Sequence, residues 1–326
     1  MLISRTPFRI SFLGGGTDFE AYFNEYPGSV LSTTIDKYCY VTIRRLPEFF
    51  SYKNQFTYSK IERFNKPDEV EHPVLREAFK FLDVDRIQVA YDADLPARSG
   101  LGTSSAFAVG LLNGLHRYKN ETISKMDLAK EAIYLEHELC REAGGVQDQI
   151  AVSFGGFNRI DFGPHGYKVR PVDMPPERKK ELNGRLLLFF TGFTHHAGEL
   201  SKEQTANIPA RLSQLHEMKA LVDEGETILH GRGDLREFGR LLHKTWELKR
   251  TLSDKITTCY VDDAYEKAMK AGALGGKLLG AGGGGFMLFY AEPEARESVR
   301  GALSDLLEVP YKFETGGSKI IYAGGD

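Results

Sequence analysis

Apolar positions along the chain follow two rhythms. Short runs rich in β-branched and aromatic residues, FRISFL (8–13), GSVLSTTI (28–35), YCYVTIRRL (38–46) and RIQVAYDADL (86–95), predict strands. HPVLREAFKFL (72–82) sets Val74, Leu75, Ala78, Phe79 and Leu82 on one face and predicts a helix. GTSSAFAVGLLNGLHRY (102–118) is almost wholly apolar, as a central buried helix would be. SKMDLAKEAIYLEHELCRE (124–142) predicts a second long helix, and GGFNRIDF with GYKVRPVDM a hairpin. DMPPERKKELNG (173–184) combines two prolines, a charge run and a turn signal, which predicts a domain boundary. After it come a strand, RLLLFFTG, and mainly helix over 196–252. A glycine run, the strand GFMLFYA, the helix PEARESVRGALSDLL and the strands YKFET and SKIIYA follow. The expectation is α+β, in two domains, 1–176 and 177–326.

Composition narrows the function classes. A formal net charge of −3 provides no basic field for nucleic acid. No apolar run approaches the roughly 20 residues of a membrane helix, and MLISRTPFRIS lacks the layout of a signal peptide. Cys39, Cys140 and Cys259 are odd in number and far apart. They predict reduced thiols, buried as small apolar residues, in a cytoplasmic protein. The oligomeric state is left open, a homodimer included.

Candidate chemistry begins with LPARSGLGTSSAFAVGLL (95–112). The turn Gly100-Leu101-Gly102-Thr103-Ser104-Ser105 runs straight into a helix, whose N-terminal N–H groups and dipole attract anions. One hydroxyl would cap the helix. Three, after two spaced glycines, point to phosphate binding. There is no G-x-x-x-x-G-K-[ST] loop and no dinucleotide fingerprint. In KLLGAGGGGFMLFY (277–290), five of residues 280–285 are glycine, which suggests backbone packed flat against another loop or a ligand. RISFLGGGTDF (9–19) likewise runs a strand into three glycines and Asp18.

Two carboxylates stand out. Glu136 falls on the apolar stripe of its helix, between Ile133 and Leu139. There it is a metal ligand or half of a structural ion pair. Asp148, in GGVQDQIA, is a reactive carboxylate or a first-turn acid.

Three motifs in this order, RTPFRISFLGGGTDF, LPARSGLGTSSAF and KLLGAGGGGFMLFY, with EHELCREAGGVQDQ between the last two, resemble those of the GHMP kinase superfamily over nearly the whole chain. The resemblance implies an N-terminal β-α-β sandwich domain, a C-terminal ferredoxin-like domain and an active site in the cleft between them. It implies ATP and Mg²⁺, with residues 100–105, Gly282 and Gly283 on the nucleotide and Ser104 and Glu136 on the metal. Asp148 would orient the acceptor hydroxyl and take its proton late, and Arg9 would steady Asp148 and the transferring phosphoryl group. Where galactokinases read Gly-Glu-His-Thr-Asp-Tyr, this chain reads Gly14-Gly15-Gly16-Thr17-Asp18-Phe19. Volume and a negative charge are lost there. That pattern resembles the kinases of D-glycero-D-manno-heptose 7-phosphate. It implies Gly15, Gly16, Thr17 and Asp18 on the sugar, with Arg98, then Lys37, Arg44 and Arg45, as candidates for its phosphate. Alternatives are a 1-kinase of free fucose or galactose and a non-catalytic sugar-binding regulator. His195 and His196 are read as a loop-to-helix turn or a contact near the cleft.

Overall fold

The computed structural model describes residues 1–192 and 197–324. His195 and His196 lie outside the described residues. Among those described, no helix is long and apolar enough to cross a membrane.

The strands are β1 (Leu2–Leu13), β2 (Gly28–Arg45), β3 (Asn54–Thr57), β4 (Ile61–Phe64), β5 (Ile87–Ala93), β6 (Phe157–Gly163) and β7 (Gly166–Pro171), then β8 (Leu186–Phe190), β9 (Ala273–Leu278), β10 (Phe286–Ala291), β11 (Leu307–Glu308), β12 (Phe313–Glu314) and β13 (Lys319–Ala323). Long β2 is the spine of the first sheet. It pairs with β1 along one edge, and with β6, β12 and β5 in turn along the other. The second sheet has the order β11-β8-β10-β9, the ferredoxin-like order. The sheets do not follow a sequential division at 176/177. β12 and β13 come back to pair with β2 and β1, so the last strands complete the first sheet.

The helix Thr103–Tyr118 packs on β1 and β2 and is buried over most of its length, as its composition demands. Other elements differ from expectation. Residues 124–142 are not one regular helix. An α-helix, Lys125–Ile133, opens into a wider π-helical turn, Tyr134–Leu139, where the Cys140 N–H reaches the Leu135 carbonyl. Such turns collect at functional sites, and this one carries Glu136. The charged stretch expected to mark a domain boundary forms a helix, Pro176–Arg185, in which Leu182 is a buried anchor. Of the cysteines only Cys39 is fully buried. Cys259 is exposed on the first turn of the helix Cys259–Lys270, and all three are free.

Candidate active site

A cleft of about 740 Å³ is lined from both parts of the chain. Its centre is an ion pair between residues 139 positions apart. Arg9, on β1, donates from Nε to Asp148 Oδ1 at 2.7 Å and from Nη2 to Oδ2 at 2.6 Å. Its Nη1 donates to the Gly100 carbonyl at 2.7 Å. Arg9 is thus spent on positioning: it aims Asp148 and ties it to the glycine turn. Asp148 sits in the first turn of the helix Gln147–Phe154 and keeps 22% of its side chain exposed. A third carboxylate, Asp18, is 2% exposed and accepts from the Gly16 N–H at 2.9 Å and Gln147 Nε2 at 2.9 Å. Burial, then the Asp148 charge, raises its pKa. A Cβ on Gly145 would stand 1.8 Å from Asp18 Oδ2, so the glycine before the helix makes room for this carboxylate.

The three opening glycines have different jobs. Gly14 has φ +83°, and a Cβ there would meet the Ser29 carbonyl at 2.0 Å. Gly16 has φ +96°. Gly15 alone lacks a close neighbour, the nearest atom being Gln147 Nε2 at 3.9 Å, and it lines the cleft. Thr17 is turned inward. It is fully buried, and its hydroxyl donates to the Gly14 and Ser29 carbonyls. It shapes the turn and does not line the cleft, contrary to its expected place on the sugar.

The second and third glycine motifs meet back to back. A Cβ on Gly100 would lie 2.4 Å from the Leu279 carbonyl oxygen, and one on Gly280 would lie 2.4 Å from Gly100 Cα. The Phe286 N–H also donates to the Ser99 carbonyl at 3.1 Å. Glycine is needed here because two backbones touch. Gly100, Gly102, Thr103, Ser104, Ser105 and Gly282 line the cleft. Leu101 and Gly283 do not: Leu101 is buried with its carbonyl accepting from the Arg9 N–H, and the Gly283 N–H donates to the Ile256 carbonyl.

Ser104 donates to Glu136 Oε1 at 2.8 Å, and Gln149 Nε2 to Oε2 at 2.6 Å. Glu136 is 2% exposed. Burial, then the Glu142 charge, pushes its pKa up to about 7 against these hydrogen bonds. A buried carboxylate beside a hydroxyl, without an ion-pair partner among the described residues, is a hard-oxygen pair that fits Mg²⁺. Among the described residues no three His, Cys, Asp or Glu side chains cluster for a metal. Further ligands would have to come from the nucleotide or water.

The cations are distributed differently from the sequence expectation. Arg98 lines the cleft on the glycine-turn side: its N–H donates to Thr103 Oγ1 at 3.0 Å, and its charge acts on His72 and Glu142. Lys37 does not line the cleft, because it lies where β2 slips register against β1, between Ile35 and Tyr38. Arg44 is turned to Gln88 on the sheet, and Arg45 is exposed beyond the cleft. Three cations were missed. Lys249 and Lys277 are 9% and 3% exposed and line the cleft. Arg211 lines a narrow recess with Gly16, Phe19, Gln204 and Leu252, all four shared with the cleft. Lys277 stood inside a quoted motif, but nothing local shows a lysine to be buried.

Tyr58, His72, Tyr91 and Phe107 form an aromatic wall at the Arg98 end. Ring centroids are 4.9 Å apart for Tyr91–Phe107 and 5.2 Å for His72–Phe107. Burial lowers the His72 pKa and keeps the ring neutral. Such a wall suits a purine base. Its members come from separate elements and form no motif.

Comparison with known proteins agrees with this geometry. The family model "GHMP kinases N terminal domain" matches residues 71–156, and "GHMP kinases C terminal" matches 218–309. The D-glycero-alpha-D-manno-heptose 7-phosphate kinase of Campylobacter jejuni subsp. jejuni serotype O:2 is 29% identical over 317 residues, 92% of either chain. The L-fucokinase/L-fucose-1-P guanylyltransferase of Bacteroides fragilis is 34% identical over 229 residues, 67% of this chain and 24% of that one. The crystal structure of a D-glycero-D-manno-heptose 1-phosphate kinase from Bacteroides thetaiotaomicron superposes with a TM-score of 0.81 at 26% identity, covering both chains fully.

Proposed function

We propose, from the premise that this chain belongs to the GHMP kinases and is an ATP-dependent sugar kinase, that its acceptor is D-glycero-D-manno-heptose 7-phosphate and its product the 1,7-bisphosphate. The observation that carries the reading is the Arg9–Asp148 pair. It joins a carboxylate, partly open to the cleft, to the glycine turn that would hold the phosphates.

In this reading the purine lies on the wall of Tyr58, His72, Tyr91 and Phe107. The phosphates run along residues 100–105, where the helix N-terminus meets them. Ser104 and Glu136 would hold Mg²⁺, which when bound neutralises phosphate charge. The anomeric hydroxyl stands at Asp148. Its oxygen forms the new bond to the γ-phosphorus as the bond to the β–γ bridging oxygen breaks, and Asp148 takes the proton. Both Asp148 oxygens already accept from Arg9, so the carboxylate is held in one orientation. Phosphoryl transfer needs that in-line positioning more than prior deprotonation. Asp18 reads ring hydroxyls, with Gln147 beside it. Gln147 Oε1 is buried without a partner among the described residues, ready to accept from one of them. Gly15 leaves room for the tail. Arg211, next to Gly16 and without an ion pair among the described residues, would meet its phosphate; Arg98 stands at the nucleotide end.

A second reading, a 1-kinase of a free sugar, draws on the 34% identity to the fucokinase. One assay separates them: ADP release with ATP and Mg²⁺ against heptose 7-phosphate, free heptose, mannose, fucose and galactose. Turnover that requires the 7-phosphate supports the first reading. Turnover of a free hexose in its place overturns it.

A further inference from the structure

Lys249 and Lys277 are the least expected groups in the cleft. Lys249, on the helix Arg236–Arg250, donates to the Leu278 carbonyl at 3.0 Å and to the Gly280 carbonyl. Lys277, on β9, donates to the Phe12 carbonyl at 2.8 Å. Among the described residues neither has a carboxylate within ion-pair distance, although both are at least nine-tenths buried. The charges facing Lys249 are Arg9 from β1, Asp18 from the loop after it, and Lys277 from β9. Arg9 is taken by Asp148, and Asp18 by Gly16 and Gln147. The deep part of the cleft therefore holds two lysine amines without a counter-ion among the described residues, and burial lowers the pKa of both. A buried cation with no counter-charge is costly, so an anion reaching this part of the cleft favours the ammonium form of each.

We propose that Lys249 and Lys277 form a phosphoryl-binding floor and that Lys249 gives one ammonium hydrogen to the γ-phosphoryl group during transfer. Contacts place it there. Lys249 holds Gly280, Gly280 rests on Gly100, and the Gly100 carbonyl is held by Arg9, which holds Asp148. Lys249 is thus one backbone contact from the turn that would carry the phosphates, and that turn is tied through Arg9 to the acceptor carboxylate. An ammonium donor at that junction would meet charge that develops on the non-bridging oxygens. In the function proposed above the tail of the acceptor lies elsewhere, toward the recess lined by Gly16 and Arg211. This assignment rests on ATP-dependent transfer and not on which sugar accepts, so it is tested with whichever acceptor in the panel releases ADP.

The pH behaviour supplies the discriminating readout. Burial, then Arg9, lowers the Lys249 pKa to about 7. The free enzyme therefore loses the required ammonium as pH rises through that value, and kcat/KM for ATP should fall on the alkaline side. Lys249→Met should lower kcat by about 10²- to 10³-fold, the size seen for loss of one transition-state donor. Lys249→Arg, whose charge persists, should recover part of the rate and lose the alkaline fall. Titration of ATP into the unliganded protein at pH 7.5, in buffers of different ionisation enthalpy, should show more proton uptake in the wild type than in Lys249→Arg. The proposal is overturned if Lys249→Met keeps kcat and the KM for ATP within two-fold. It is also overturned if the loss falls on the KM of a phosphorylated acceptor alone, or if Lys249→Arg keeps the wild-type pH profile. Should Lys249→Met not fold, the Lys249→Arg profile and the proton-uptake titration still decide.

Discussion

Replacing Gly100 by alanine tests whether the junction of two glycine turns sets the phosphate geometry. Gly100 has φ +85°, and the new Cβ would lie 2.4 Å from the Leu279 carbonyl oxygen, where ordinary contact begins at 3.4 Å. The turns must part by most of an ångström, and the alanine must also sit in the left-handed region. The second requirement costs about 1–2 kcal/mol and overpacking a further 1–3 kcal/mol, about 2–5 kcal/mol together. A chain of 326 residues unfolds with an entropy near 0.7 kcal/mol per kelvin, so Tm should fall by about 3–7 °C. Displacement near the reacting groups should cost about 10²-fold in kcat/KM for ATP, since the Gly100 carbonyl also holds Arg9. Thermal melts and initial rates measure both. Gly184→Ala is the control: it lies in the helix Pro176–Arg185 with nothing within 4 Å of its Cβ. It should stabilise by about 0.5–1 kcal/mol and leave rates alone. A Gly100→Ala protein with unchanged Tm and kcat/KM would refute the packing argument. One with a lowered Tm but wild-type kinetics would show that the contact is structural only.

Asp148→Asn should keep the fold and bind ATP, while turnover falls by at least about 10²-fold because the acceptor loses its proton acceptor; ADP release and a binding titration check this. Arg211→Gln should raise the KM for heptose 7-phosphate by about 10- to 100-fold, the loss of a charged hydrogen bond, and leave free-sugar and ATP kinetics unchanged. Arg98→Gln should instead act on the KM for ATP, as steady-state rates with each substrate varied will show. Remote from the cleft, His116 is held between Glu131 at 2.6 Å and Glu121 at 2.7 Å. The Glu131 bond raises its pKa above the ordinary 6.5, with Glu121 adding to it and burial opposing. Its contribution to stability is complete below pH 6.5 and is lost as pH rises through the raised value. Denaturant midpoints between pH 6 and 8 should therefore slope downward, and His116→Gln should flatten the slope.

Features carried by neighbouring residues were readable from the chain. Glycines and hydroxyls ahead of an apolar run announced the turn at 100–105, because helix termini leave N–H groups open wherever they occur. Glu136 was visible because a carboxylate on an apolar stripe breaks a local period. Asp148 stood out after two glycines, but its catalytic role came only from the resemblance to a family segment. The second sheet has the expected ferredoxin-like order, while the return of β12 and β13 to the first sheet was not foreseen, since a strand's own residues do not specify its partner. Tertiary structure alone decided which groups face the cleft. Thr17 looked like part of a binding turn and is a buried brace. Lys249 lay unremarked in a helix and is, with Lys277, a buried lysine lining the cleft. Arg98 lies by the glycine turn at Thr103, and Arg211 lines a recess with Gly16. Burial and aim depend on what packs around a side chain, and here the decisive neighbours, Arg9 with Asp148 or Lys277 with Phe12, are more than 100 residues apart. Sequence determines which chemistry is present; the folded contacts determine where its charges have no water and therefore need a ligand.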